Sequence, residues 1–330
     1  MNENNQLPNI TADSRLRDRI MGGIIGTLVG DALGVPVEFT GRSILNRDPV
    51  TEMRSFGTWN QPAGTWSDDS SMTLVTADLL SGTGWNMENL ISGFLLWLDK
   101  SWWTPHGVVF DIGNATQGAL RLFRTNRDHL SCGMTCESDN GNGSLMRSLP
   151  VSCWLLGQAT EIIISKAGEA SALTHAHLRS RLCCAWHALW CDAMLSGKSV
   201  RASARDASHR LLPNIMLDLE RKILKRLLDG SVMDQSRAAI HSDGYVVSTM
   251  EASLWCLTNH DDFRSSVLAA VNLGDDTDTT GAVTGGMAGL HYGLNAIPKE
   301  WISAIARHDD VMALAERFAD ACLAHWQTSP

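Results

Sequence analysis

Apolar residues recur at three- and four-residue intervals along most of the chain, the spacing that lines one face of an α-helix. The pattern predicts helices over residues 15–33, 72–80, 87–98, 115–123, 144–156, 161–173, 178–195, 215–228, 246–257, 263–273, 282–294, 301–306 and 311–326. No run of alternating apolar and polar positions reads as a set of strands, so the expected fold class is all-α. Pro36, Pro49, Pro62, Pro105, Pro150, Pro213 and Pro298, each with Gly, Asn or Asp nearby, punctuate the segments. Connections are short except over residues 35–64 and 126–143, where lids or binding loops would sit.

Two of the predicted helices carry glycine in a helical register. Gly22, Gly26, Gly30 and Gly34 repeat every fourth residue, and so do Gly281, Gly285, Gly289 and Gly293. Glycine inside a helix costs about 1 kcal/mol relative to alanine, so a narrow face without side chains needs a compensating gain. Close backbone packing of two core helices supplies it. In lipid the same stripe would read as a dimer motif, but Asp31 and the acidic loop that follows argue against that here.

Composition narrows the choices further. The chain has 330 residues, 44% hydrophobic and 19% charged, ample for a large core and without a signature of disorder. A formal net charge of −9, with scattered Lys and Arg, argues against phosphate-backbone binding, so nucleic acid is not an expected partner. Apolar stretches such as residues 21–29 and 151–156 fall short of the roughly 20 residues of a membrane span, and no membrane partner is expected. Residues 1–14 read as a polar extension with no signal-peptide core, ahead of one domain over 15–330, and a cytoplasmic location is expected. The eight cysteines form no paired C-x-x-C knuckle; Cys183, Cys184, Cys191 and Cys256 sit in apolar helical patterns and read as reduced core residues.

The chemistry concentrates in two acidic clusters that lie far apart in the chain, each where an apolar helix should begin. The first contains Ser67, Asp68, Asp69 and Ser70; the second contains Asp275, Asp276, Asp278 and Thr279. Carboxylates flanked by hydroxyls are the hard oxygen ligands that Mg²⁺, Mn²⁺ or Ca²⁺ takes, and two such groups can share a binuclear centre. Taken alone, the first cluster reads better as an N-cap followed by a dipole-favoured first turn than as a metal site. In the second, three formal negative charges within four residues repel unless a cation or proton intervenes. An EF-hand loop counted from Asp276 puts Met287 at the position of the bidentate Glu, and fails. The run from Asp276 to Thr280 also resembles the D-x-D-x-T nucleophile motif of haloacid-dehalogenase-type phosphatases, but that motif ends a strand and residues 263–273 read as helix.

Taken together, these residues resemble the ADP-ribosylglycohydrolases, the family that includes the dinitrogenase-reductase-activating glycohydrolase. The motifs fall in the family order: Gly30-Asp31-Ala32-Leu33-Gly34 with Pro36 and Glu38; Ser67-Asp68-Asp69-Ser70-Ser71-Met72; Phe110-Asp111-Ile112-Gly113-Asn114-Ala115-Thr116; Gly141-Asn142-Gly143-Ser144-Leu145-Met146-Arg147 with Pro150; Thr174-His175; and residues 274–282. The resemblance runs from about Ile20 to Gly293. It implies a compact orthogonal multi-helix fold with a central cleft holding two Mg²⁺ or Mn²⁺ ions. The ligands it implies are Ser67, Asp68 and Asp69 on one side and Asp276, Asp278 and Thr279 on the other. Serines stand for threonines at Ser67 and Ser70, and Asp275 stands for a glycine, adding charge beside the metals.

The implied activity is hydrolysis of the N-glycosidic bond of an ADP-ribosylated protein, most directly ADP-ribosyl-arginine, through an oxocarbenium-like state. Asp111 is the candidate for ribose contact and proton transfer, with Asp69 and Asp276 as catalytic partners at the metals. From spacing alone Asp111 also reads as an N-cap for the helix at 115–123. Glu38, Asn114, Asn142, Gly143 and His175 are candidate substrate contacts, and Trp66 and Trp103 candidate platforms for adenine. The expected partner is an ADP-ribosylated protein. An ADP-ribosyltransferase toxin is a second one, if the protein serves in immunity or blocks a toxin through residues 1–14 without catalysis.

Overall fold

The computed structural model describes residues 12–328. It holds sixteen α-helices among them, with only isolated bridges and no strand ladder. They are α1 (Ala12–Gly34), α2 (Arg42–Leu45), α3 (Asp68–Thr83), α4 (Met87–Lys100), α5 (Asn114–Asn126), α6 (Leu149–Trp154), α7 (Thr160–Ala172), α8 (Leu178–Leu195), α9 (Val200–Leu211), α10 (Asp218–Ile223), α11 (Lys225–Leu228), α12 (Val246–Thr258), α13 (Phe263–Val271), α14 (Thr277–Tyr292), α15 (Lys299–Ala304) and α16 (His308–Thr328). Of the expected polar extension, residues 1–11 lie outside the described residues, and Ala12, Asp13 and Ser14 already belong to α1.

The glycine stripes meet face to face at the centre. A Cβ added at Gly22 would lie 2.6 Å from the Gly289 carbonyl oxygen, at Gly26 2.2 Å from that of Gly285, and at Gly30 2.0 Å from that of Gly281. The register is antiparallel, so the end of α1 lies beside the start of α14, where Thr277 Oγ1 donates to the Gly34 carbonyl at 2.8 Å. Asp31 and the second acidic cluster are thereby brought to one end of the central pair. Helices α3, α6, α12, α13 and α16 pack around it.

Residues 12–37 are long and apolar enough to cross a membrane, with a mean hydropathy of 1.6 in the best window, because α1 runs through its glycines without a break. That window is wholly buried inside the protein, so its apolarity belongs to the core rather than to lipid contact.

Several boundaries differ from the sequence expectation. Helices α3 and α14 begin at Asp68 and Thr277, ahead of the apolar runs, so Asp68, Asp69, Asp278 and Thr279 occupy first turns. The segment 144–156 contracts to α6, opened by Pro150 in its first turn. Segment 215–228 breaks at Leu224 into α10 and α11. Helix α9 carried no signal because most of its buried face is made of small residues, Ser203, Ala204, Ala207 and Ser208.

Candidate active site and metal centre

The first acidic cluster is held from behind by α1. Both oxygens of the Asp31 carboxylate accept the Ser67 N–H, at 3.0 and 3.1 Å, and Oδ2 also accepts the N–H of Ser70 at 3.0 Å and its hydroxyl at 2.5 Å. Ser67 is the N-cap of α3, its Oγ accepting the Asp69 N–H at 3.3 Å. Capping therefore falls to Ser67 and leaves Asp68 and Asp69 turned to other use. Both are buried, and Asp69 Oδ2 has no hydrogen-bond partner.

The second cluster meets the first at the start of α14. Thr279 Oγ1 lies 3.4 Å from Asp69 Oδ1, joining residues 210 apart in the chain. Asp276 occupies the N-cap position without capping, and its Oδ2 accepts the Asn142 side-chain N–H at 2.8 Å. Glu38, after the short turn Val35–Val37, brings its carboxylate within 4.8 Å of those of Asp276 and Asp278.

Burial raises every one of these acids above the ordinary carboxylate range. Asp31 is lifted to about 6 by desolvation, against the pull of the Ser67 and Ser70 hydrogen bonds. Glu38 is lifted to about 8 by desolvation and by Asp111, and Asp111 to about 6 by desolvation, with its own contribution from Asp276. Asp68, Asp69 and Asp278 rise well above the usual value through desolvation and then through neighbouring carboxylates, chiefly Asp111 for Asp68, Asp31 for Asp69 and Glu38 for Asp278. Asp276 rises by desolvation, opposed by Asn142. Buried carboxylates that repel one another, with one oxygen unpartnered, form a hard-oxygen donor set that fits a divalent cation.

A cleft of about 460 Å³ opens over this cluster. Asp111, Glu38, Asn114, Asn142, Gly143 and His175 all line it, together with Asp68, Asp69, Asp276 and Thr279; Ser67 and Asp278 do not. Asn142 also donates to Thr249 Oγ1 at 2.9 Å, so it is fixed from two sides. His175 is buried and neutral, pushed down to about 3 by desolvation and by Arg147, with Nδ1 2.7 Å from Thr174 Oγ1. A Cβ at Gly143 would sit 2.9 Å from the His175 ring, so only glycine lets that loop approach. Buried Arg147 ties the wall together by donating to the Gly143 carbonyl at 2.6 Å and to Thr174 Oγ1 at 2.8 Å.

Some sequence expectations change. Asp111 is not a helix cap, because Gly113 holds that position at α5. Asp275 adopts the left-handed backbone that favours glycine, with φ 61°, and its side chain is exposed on the side of Arg42, where its charge opposes the lowering of the Arg42 pKa by burial, rather than turned to the carboxylate cluster. Trp66 and Trp103 are core residues, hydrogen-bonded to Ser71 and Asp78, and do not line the cleft. The tryptophan at the site is Trp59, whose indole N–H donates to the Glu38 carboxylate. Asp276 follows helix α13 rather than a strand, which removes the phosphatase reading. The cysteines are free, and all but Cys136 are buried.

Comparison with known proteins agrees with this architecture. The family model described as ADP-ribosylglycohydrolase matches residues 12–327. The chain is 31% identical to the ADP-ribosylarginine hydrolase Tri1 of Pseudomonas putida (strain GB-1), over 92% of this chain and 78% of that protein. It is 28% identical to the ADP-ribosyl-[dinitrogen reductase] glycohydrolase of Rhodospirillum rubrum, over 88% of this chain and 91% of the relative. A solved structure described as an ADP-ribosylglycohydrolase-related protein complex superposes with a TM-score of 0.78 at 29% identity, covering 93% of this chain and 99% of that one. The chain belongs to the ADP-ribosylglycohydrolase family.

Proposed function

We propose that this protein releases ADP-ribose from ADP-ribosylated arginine side chains of proteins, in a reaction that depends on two Mg²⁺ or Mn²⁺ ions. Glycohydrolase action on ADP-ribosylated proteins follows from the family and from relatives named for it. The arginine linkage is supported by the two relatives named ADP-ribosylarginine hydrolase, at 31% and 30% identity. The observation that carries the metal reading is the meeting of two distant acidic segments in one cleft, across the Thr279–Asp69 contact.

Ser67, Asp68, Asp69, Asp276, Asp278 and Thr279 are the residues that would hold the ions. Bound there, a divalent cation supplies charge neutralisation and Lewis-acid polarisation. Asn142 holds Asp276 in orientation, and Asp31 holds the start of α3. Asp111, lifted to about 6, is suited to take a proton from the attacking water and return one to the departing guanidine nitrogen near neutral pH. The N-glycosidic C–N bond breaks as the water oxygen bonds to the anomeric carbon, giving ADP-ribose and an intact arginine. The glycine-rich turn at Asn142 and Gly143 offers close backbone approach to the ribose.

The test is release of ADP-ribose from an arginine-ADP-ribosylated protein, followed by mass spectrometry with Mg²⁺, with Mn²⁺ and with EDTA. Release should require metal and vanish in Asp276→Ala while the helical circular dichroism persists. Full release in EDTA, or none by the wild type with either metal, overturns the proposal.

A further inference from the structure

One wall of the cleft is built unlike the rest. Phe39, directly after Glu38, lines the cleft with its side chain 67% exposed and its backbone in the left-handed region at φ 62°. A bulky residue held there is an outlier, of the kind found at ligand clamps. Its ring stands 6.2 Å from that of Trp59, which stands 5.6 Å from that of Phe110. The rings stand in a row in the order Phe39, Trp59, Phe110; Phe39 is the one that lines the cleft, and the other two back it, each linked to a cleft carboxylate. Phe110 precedes Asp111, and Trp59 donates its indole N–H to Glu38.

The row of rings is fixed from beneath. Thr58 Oγ1 donates to the Glu38 carbonyl at 2.7 Å, and the Phe39 N–H to the Asp275 carbonyl at 2.7 Å. Phe56, Gly57 and Asn60 all have positive φ, and a Cβ at Gly57 would lie 1.9 Å from the Pro36 carbonyl oxygen. The hairpin carrying Trp59 is therefore pressed onto the turn that carries Glu38.

We propose that Phe39, backed by Trp59 and Phe110, forms with Glu38 and Asp111 the subsite for the guanidinium of the acceptor arginine and sets the specificity for that leaving group. This rests on the arginine linkage proposed above. A guanidinium is planar and cationic; it gains from an aromatic face and from a carboxylate at its edge together. Adenine would gain from the rings alone, and a diphosphate would be repelled by Glu38 and Asp111. The chain from Phe110 to Thr116 orders the cleft: its first residue is in the row, while Thr116 sits against Gly143, beside His175. The nucleotide then occupies the glycine-loop end and the leaving group departs past Phe39.

The test uses the metal-loaded full-length protein and the variants Phe39→Leu, of similar bulk without a π face, and Phe39→Tyr. Two readouts are needed: kcat and KM on an arginine-ADP-ribosylated peptide, and the Kd of free ADP-ribose by calorimetry. Phe39→Leu should raise KM roughly 5- to 30-fold, the worth of a partly desolvated cation–π contact, with ADP-ribose affinity unchanged. Phe39→Tyr should restore KM. Equal weakening of free ADP-ribose would place adenine on the ring and overturn the assignment. So would a Phe39→Leu enzyme indistinguishable from wild type. A wild type that binds ADP-ribose yet leaves the arginine-linked peptide intact refutes the arginine linkage itself, and this subsite with it.

Discussion

The contact between α1 and α14 is the joint on which the site depends, and Gly26→Ala tests it. The added Cβ would lie 2.2 Å from the Gly285 carbonyl oxygen and 3.1 Å from the Phe263 ring. An ordinary contact is about 3.5 Å, so the helices must part by roughly 1 Å. Overpacking of that kind costs about 1–3 kcal/mol, against which alanine returns up to about 1 kcal/mol of helix propensity. The net expectation is a loss of about 1–2 kcal/mol, or several degrees in Tm. Gly82→Ala is the internal control, because it lies in the last turn of α3 with nothing within 4 Å of its added Cβ. That variant should gain about 0.4–1 kcal/mol. Urea and thermal unfolding followed by circular dichroism read both. The pair also predicts a metal effect: Asp31 and Asp278 ride on the two helices, so Gly26→Ala should reduce the stabilisation by Mg²⁺ while Gly82→Ala leaves it intact. A Gly26→Ala protein at or above wild-type stability refutes the stripe-to-stripe packing.

The pH dependence of metal stabilisation follows from the raised carboxyls. Asp31 is lifted to about 6 in the folded protein and Asp68, Asp69 and Asp278 are raised well above the ordinary carboxylate value, while the unfolded chain releases these protons near 4. Between those values the folded state binds more protons, so without metal the contribution of these groups to stability falls as pH rises from about 4. Thermal unfolding in EDTA and in Mg²⁺ should therefore show a larger metal increment at about pH 8 than at about pH 5, since the ligands must be deprotonated to bind; equal increments would contradict the cluster as the binding site. Arg147→Met removes the donors to Gly143 and Thr174 behind His175. Calorimetry should find free ADP-ribose bound at least about tenfold more weakly, as expected for about 1.5 kcal/mol or more from hydrogen bonds to a charged group, and unchanged affinity would remove Arg147 from the support of that wall.

Much of the site was legible because it is written in charge and in glycine. Three acids within four residues have no ordinary structural use, and glycine at every fourth helical position has only close packing to recommend it. The close approach of the two striped helices was legible as well, but their antiparallel register, Gly26 on Gly285, was not, since helical period says which face is bare and not how two bare faces align. Trp59 left no trace for a different reason. It lies in a loop without periodicity, and only the folded hairpin, pressed on Pro36, carries its indole to Glu38. Trp66, one residue ahead of the first cluster, drew attention by proximity in sequence, yet its ring turns into the core. Asp31 could be read as part of a motif but not as the acceptor for the Ser67 and Ser70 amides, a role that exists only once α1 lies against α3.

In the sequence of the first cluster, capping and metal binding compete for the same side chains. In the folded chain they are divided: Ser67 caps, Asp31 takes the spare amides, and Asp68 and Asp69 are released into the cleft. The arrangement also answers how the fold tolerates so many buried acids. Helices α3 and α14 both start at the cluster, so the positive ends of two helix dipoles face the carboxylates and lower the cost of gathering them. That stabilisation is partial, as the raised pKa values of Asp68, Asp69 and Asp278 record. The remainder is a deficit of positive charge, and a divalent cation held between the two helix starts is what would remove it.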